Sequence, residues 1–174
     1  MTFTTGYTQI YTGDGKGKTT ASLGLALRAA GAGLQVYMAQ FIKSGDYSEI
    51  KALARYEDCI TVEQFGQGRF IKGKPAPEDV AAAQKGLQAV RSALESGHYQ
   101  MVIMEEGSVA AACGLFEVEE ILAIIDQKPG NVELVITGRG ADPRAIEKAD
   151  LVTEMKAVKH YYEAGVMARV GIEK

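Results

Sequence analysis

An α/β fold with a mostly parallel central sheet is predicted by three observations. An apolar stretch, Tyr7 to Tyr11, leads into a glycine loop and then a long helical segment. Apolar strands and amphipathic helices alternate along the rest of the chain, the pattern that builds a parallel sheet covered by helices. One of those strands, Gln100 to Met104, runs straight into a pair of acids, Glu105 and Glu106.

The 174 residues suit one domain, 1–174, with a full-sized core. A content of 47% hydrophobic and 24% charged residues fits a soluble globular chain. No apolar run approaches the roughly 18 residues of a membrane span, and Met1 to Thr5 carries no signal-peptide pattern. A cytoplasmic protein without a membrane partner is therefore expected. The 19 Lys and Arg against 22 Asp and Glu leave a net charge of −3, which argues against a nucleic-acid partner. Cys59 and Cys113 lie far apart among apolar neighbours and outside any metal-ligand spacing, so reduced, buried thiols are expected.

The glycine loop is Thr12-Gly13-Asp14-Gly15-Lys16-Gly17-Lys18-Thr19-Thr20. Strand, glycine loop and helix together make a phosphate cradle. Loop N–H groups point inward, the helix N-terminus adds partial positive charge, and a lysine reaches the phosphates. A threonine hydroxyl can join the shell of a bound Mg²⁺. The spacing departs from the usual glycine, four residues, Gly-Lys-Ser/Thr: the first glycine should stand at Thr12, and Gly13 leaves only three residues before Gly17. A shorter loop should hold a phosphate chain differently. The bland alternative, a glycine turn with a solvated lysine, is disfavoured by the strand and helix that flank the loop.

The helix after the loop runs to about Ala30, where Gly31 and Gly33 provide the stop. Leu23, Leu25, Ala26, Leu27 and Ala29 make it apolar around most of its circumference, so it should pack on a sheet on one side and on other helices on the other. Arg28 is its only charge, either a surface residue or a ligand contact. Gln35 to Ile42 reads as a buried strand with Lys43-Ser44-Gly45 at its C-terminal end. Ser48 to Tyr56 reads as a short helix, and Ile60 to Phe65 as a strand by alternation.

Gly66 to Pro75 is a loop with three glycines around Phe70 and Ile71, either a ligand contact or a plain connection. Pro77 opens a long helix with Glu78 and Asp79 in its first turn. Val80, Ala83, Leu87, Val90 and Leu94 give that helix one apolar face. Val118, Ile121, Leu122 and Ile125 mark another amphipathic helix. Val132 to Thr137 is a buried strand ending in Gly138-Arg139-Gly140, Pro143 to Ala149 a short helix, and Leu151 to Met155 a short strand. Ligands of parallel sheets gather at the strand C-terminal ends. The glycine loop, Lys43, Glu105-Glu106 and Gly138-Arg139 all fall there.

One carboxylate of the acidic pair would hold Mg²⁺ or its waters opposite the phosphates. Side chains alternate along a strand, so Glu105 and Glu106 cannot both point into the site if the strand persists through them.

These residues resemble the ATP:corrinoid adenosyltransferases of the P-loop type. The resemblance covers nearly the whole chain: Tyr11 to Thr20, Leu25 to Gly31, Gln40-Phe41-Ile42-Lys43-Ser44-Gly45, Phe70 to Pro75, Ile136-Thr137-Gly138-Arg139, and a closing block from Ala149 to Met155 with Val158 to Tyr162 and Gly171-Ile172-Glu173. The shortened glycine loop is itself a trait of that family. The resemblance implies a P-loop NTPase-like (RecA-like) three-layer sandwich. It also implies that a Co(I) corrinoid attacks the 5′ carbon of ATP and that triphosphate leaves. The cobalt is the nucleophile, so no nucleophilic side chain is required, and the protein must orient C5′ and stabilise charge on the leaving group. The nucleotide would lie reversed relative to other P-loop enzymes.

Carried over by position, Gly13, Asp14, Gly15, Lys16, Gly17, Lys18, Thr19 and Thr20 bind the triphosphate, with Lys18 as the catalytic cation. Thr19 and Glu106 would ligate Mg²⁺. Arg28 and Arg139 are nucleotide-side contacts. Phe70 is the candidate corrinoid-facing aromatic, able to displace the lower axial ligand of cobalt, or else an anchor for its own loop. A homodimer and a flavoprotein-type reductant supplying Co(I) are implied as partners.

The chain also departs from the family. Glu105-Glu106-Gly107-Ser108 stands where Asp-Glu followed by an Asn or Thr segment is common, which leaves open which acid meets the metal. The tryptophan that some members carry near the corrinoid loop is absent. Only about six residues precede the first strand, so the cover that a long N-terminal extension gives the partner's site in some members is expected to be missing or built otherwise. Two alternatives stand beside the transferase: a P-loop ATPase or kinase of another kind, and a nucleotide- or corrinoid-binding protein without chemistry.

Overall fold

The computed structural model describes residues 4–69, 71 and 73–173. Among them, β1 (Thr8–Thr12), β2 (Val36–Phe41), β3 (Ile60–Phe65), β4 (Met101–Glu105), β5 (Glu133–Thr137) and β6 (Leu151–Glu154) form one sheet in the order β3-β2-β4-β5-β1-β6. Every pairing in it is parallel. Helices α1 (Lys18–Gly31) and α2 (Ser48–Leu53) lie on one face. Helices α3 (Pro77–Glu95), α4 (Gly107–Ala112), α5 (Val118–Gln127) and α6 (Pro143–Lys148) lie on the other. The expected three-layer arrangement is thus present.

The two-residue period of the strands sorts the core. Tyr37, Ala39 and Phe41 of β2 and Val102 and Met104 of β4 pack towards α3. Val36 and Met38, with Met101 and Ile103, pack towards α1. Continuing that alternation by one step puts Gln40 and Glu105 on the α1 face. They are register partners on adjacent strands, and both are fully buried. They lie buried beside the first turn of α1, where the Thr19 hydroxyl reaches Glu105.

Helix α1 leaves β1 and crosses under β5 and β4 to reach β2, touching all three strands on the way. Its N-terminus therefore stands at the C-terminal ends of the central strands. Its outer side differs from expectation: Gly24, Leu27 and Arg28 are exposed rather than covered by other helices. Its buried stripe of Ser22, Ala26 and Ala29 lies on the sheet side, where Ala26 and Ala29 join a core cluster that also holds Leu53 of α2. The cysteines also differ. Both are free thiols, but half-buried, because each sits beside a turn at an element's end rather than inside it.

The long helix α3 begins as its first-turn acids predict. The Asp79 carboxylate accepts the Ala76 N–H at 3.2 Å, the reciprocal half of an N-terminal cap. Arg69 binds Asp79 and Glu78 at 2.9 Å each, pinning the preceding glycine loop to the start of this helix.

Candidate functional site

The glycine loop is shaped by its glycines and by the chain that follows β6. Gly13 and Gly17 have φ of 93° and 123°, a conformation that side chains with a Cβ rarely adopt. A Cβ at Gly13 or Gly15 would stand 2.5 or 2.7 Å from the Met155 carbonyl oxygen. The Gly15 N–H donates to that same oxygen at 2.6 Å. Within the loop, Lys18 Nζ donates to the carbonyls of Gly13 and Gly15 at 2.6 and 2.8 Å. Burial, followed by the charge of Arg139, holds the Lys18 ammonium below the ordinary lysine pKa, while Glu106 and Asp14 oppose the shift. The first-turn amides of α1 have no helical acceptor and face the same region.

Opposite the loop, Glu105 closes β4. The Thr19 hydroxyl donates to its Oε1 at 2.5 Å, and Lys43 Nζ donates to the same atom at 2.9 Å. Its Oε2 is buried and lacks a hydrogen-bond partner among the described residues, as does Gln40 Nε2. Burial pushes the Glu105 carboxyl up, against the charge of Lys43. For Lys43, burial pulls the pKa down, but the charge and hydrogen bond of Glu105, with the charges of Glu106 and Glu49, together outweigh it and the net shift is upward.

Glu106 leaves the strand with φ of 59°, the left-handed region, and its N–H donates to Thr137 Oγ1 at 3.0 Å. That turn settles the alternation problem posed by the two acids. Glu105 faces the α1 side as a strand residue, and Glu106 turns into the cavity as the residue capping α4.

Lys43 is aimed by a strained turn. Ile42 has φ of 68°, and the Lys43 N–H donates to the Phe41 carbonyl at 2.7 Å. This is a γ-turn of the rare positive-φ form, carried by a β-branched residue. Gly66 permits it: a Cβ there would sit 2.0 Å from the Ile42 carbonyl oxygen. Strain of this kind is held where the surroundings over-determine it, commonly at functional sites. Here it turns the chain back so that Lys43 reaches Glu105.

These parts surround a cavity of about 700 Å³. The structure brings Gly15, Lys16, Gly17, Lys18, Thr19, Thr20, Glu106 and Arg139 onto its wall. Gly13 joins them through its carbonyl bond to Lys18. Asp14 is exposed beside the loop and acts on Lys18 by charge alone. Arg28 is exposed in the last turn of α1, about 15 Å along the helix axis from Lys18, and does not line the cavity. Phe70 lies outside the described residues, although its neighbour Arg69 is on the cavity wall.

Sequence reasoning did not assign Lys43 to Glu105, nor Arg69, Tyr47 and Glu49 to the wall. It also did not bring the C-terminal segment back to the loop, where Lys16 Nζ donates to the Ile172 carbonyl at 2.8 Å. The one available signal was the position of Lys43 directly after a buried strand.

The arrangement suits a polyphosphate: cationic Lys16, Lys18, Lys43, Arg69 and Arg139 and the α1 N-terminus lie around one space, with Glu49, Glu106 and Glu173 also on its wall. Comparison with known proteins agrees. Residues 4–173 match the family described as ATP:corrinoid adenosyltransferase BtuR/CobO/CobP. The chain belongs to that family. It is 33% identical over 165 residues to a corrinoid adenosyltransferase of Pseudomonas aeruginosa, covering 94% of this chain and 81% of the relative. A corrinoid adenosyltransferase of Escherichia coli is 32% identical over 164 residues, covering 94% and 83% of the two chains. Among solved structures, a KaiC-like protein of Pyrococcus horikoshii superposes with a TM-score of 0.59 at 14% identity, covering 90% of this chain and 75% of that one. That likeness bears on the fold, which is RecA-like.

Proposed function

We propose that this member of the corrinoid adenosyltransferase family transfers the 5′-deoxyadenosyl group of ATP to the cobalt of a reduced Co(I) corrinoid, releasing triphosphate. The observation that carries the reading is the cavity itself, lined by Lys18 and Thr19 at the α1 N-terminus together with Glu106 and Arg139, with the buried Glu105 hydrogen-bonded to Thr19 behind it. In the reaction, the cobalt(I) electron pair forms the Co–C5′ bond. The C5′–O5′ bond breaks, its electrons leave on triphosphate, and cobalt ends as Co(III).

The chain's part is electrostatic and geometric. Lys16, Lys18 and Arg139 hold the phosphates, and the loop amides add donors where negative charge develops. Lys18 is the principal cation because its two loop carbonyls already fix its position. Asp14 tunes Lys18 from outside, and Arg28 is retained only as a remote charge. Phe70 is proposed as the aromatic facing the corrinoid, on the loop that Arg69 pins to α3.

Mg²⁺ is proposed at Thr19 and the acidic pair. The residues fit: a hydroxyl and a carboxylate lie within hydrogen-bond distance of each other, and Glu105 Oε2 is a buried acceptor without a partner among the described residues. Oxygen donors of this kind, completed by phosphates, are what Mg²⁺ takes. Glu105 lies beside Thr19, while Glu106 reaches the cavity from the α4 cap, so Thr19 with Glu106 remains the proposed ligand pair and Glu105 its buried support. Bound Mg²⁺ would supply charge against the leaving triphosphate.

A homodimer is proposed with β6 near the interface. All four residues of this edge strand are exposed, and Leu151 and Val152 are apolar. A flavoprotein-type reductant and a cytoplasmic setting complete the proposal; no described helix is long and apolar enough to cross a membrane. The reading is tested by product identity, since adenosylcobalamin and triphosphate must appear together from ATP and cob(I)alamin.

A further inference from the structure

Lys43 stands where a lysine and a divalent cation would compete. Its Nζ is 2.9 Å from Glu105 Oε1 and 3.4 Å from Thr19 Oγ1. Thr19 is a proposed ligand of the metal, and Glu105 is the carboxylate behind it. An ammonium and a divalent ion repel each other at such range, so each weakens the other's hold on these oxygens.

A second place for the ammonium lies on its other side. Glu49 Oε1 is 4.0 Å from Nζ, and the Tyr47 ring centroid is 5.7 Å away. The backbone that carries Lys43 is held by the γ-turn at Ile42 and the close approach of Gly66. The flexible four-carbon stem can nevertheless swing between the two acids without moving it. Glu105, fully buried, needs a positive neighbour whenever it is ionised, because an unpaired buried carboxylate is strongly destabilising.

We propose that Lys43 is a built-in counter-ion: it neutralises Glu105 before loading and yields this corner of the site to the divalent metal when the metal–nucleotide enters, moving to Glu49 and Tyr47. The proposal rests on the metal–nucleotide reading of the cavity. It assigns to one side chain the task of keeping the acidic corner folded while no nucleotide is bound. It also implies that free divalent ions bind weakly, whereas a metal that arrives with phosphates displaces the lysine.

The test uses Mn²⁺ as the probe, counted by electron paramagnetic resonance with and without ATP, in the wild type and in Lys43→Met. The variant should bind free Mn²⁺ about tenfold more tightly, the order expected on removing a competing charge at a partly desolvated site. The gain should vanish in Lys43→Met combined with Glu105→Gln. Free Mn²⁺ binding that is unchanged or weaker in Lys43→Met overturns the proposal. Should that variant fail to fold, Lys43→Arg decides instead. A guanidinium grips a carboxylate with two hydrogen bonds, so Mn²⁺ should bind more weakly than to wild type, and equal or tighter binding contradicts the idea. A wild type that binds no Mn²⁺ even with ATP overturns the underlying metal–nucleotide reading as well.

Discussion

The Thr19 hydroxyl donates to Glu105 Oε1 at 2.5 Å, joining the first turn of α1 to the end of β4 across 86 residues of sequence. This bond ties the N-terminal end of the helix to the acid that faces it. Removing it with Thr19→Ala should cost about 1.5–3 kcal/mol, the usual worth of a hydrogen bond to a charged group, read from denaturant midpoints. Mg²⁺·ATP affinity by calorimetry should fall by roughly tenfold or more, and Thr19→Ser should restore both.

Lys18 gives the pH dependence. Burial and the charge of Arg139 depress its pKa, so the folded protein loses this ammonium at a lower pH than free lysine does. ATP binding should therefore weaken on the alkaline side before pH 10.5, the ordinary lysine value. Replacing Arg139 by Met removes one depressing charge, so the Lys18 transition, followed by NMR of labelled lysine, should move up. A downward move would contradict this electrostatic account of the loop. Lys18→Ala should lower turnover by about 10²-fold or more with the fold intact by circular dichroism.

The two arginines are separated by place. Arg139 is on the cavity wall, while Arg28 is exposed at the far end of α1. Arg139→Ala should raise the KM for ATP by about tenfold, as for loss of one charged phosphate contact. Arg28→Ala should change it less than about twofold, within the range of ordinary surface substitutions. Steady-state kinetics on both variants decides, and a large effect at Arg28 would require a second nucleotide contact at that end of the helix.

Gly66 supports the strained turn at Ile42, since a Cβ there would meet the Ile42 carbonyl oxygen at 2.0 Å. Gly66→Ala should destabilise the protein by about 1–3 kcal/mol through overpacking against backbone. Because the turn aims Lys43, the variant should also disturb the Lys43–Glu105 pair, seen as a shifted Lys43 side-chain resonance. Wild-type stability with an unmoved resonance would show that the turn tolerates the extra methyl group.

The parts of this molecule that were legible in the sequence are those with a local signature. Apolar stretches, and alternation at Ile60 to Phe65, placed all six strands to within a residue or two, and the glycine loop with Lys18 and Thr19 announced its position at a strand-to-helix junction. Helix α4 was not legible: Gly107–Ala112 is six small or apolar residues, too short to show a period. The left-handed turn at Glu106, which sends the two acids in different directions, has no marker in a glutamate. A positive φ at Ile42 runs against the preference of a β-branched residue, so only the finished packing reveals it. Lys43 to Glu105 and Lys16 to Ile172 are long-range pairs, set by strand order and by the return of an irregular C-terminal segment. Neither strand order nor that return is written in periodicity.

The central claim concerns which bond of ATP is broken. The direct measurement is phosphorus NMR of the products formed from ATP, Mg²⁺ and chemically reduced cob(I)alamin, taken beside the visible spectrum of the corrinoid. Triphosphate and adenosylcobalamin rising together, one for one, is the predicted result. ADP and phosphate accumulating while the corrinoid remains unalkylated would contradict it and assign the loop to ordinary γ-phosphate chemistry.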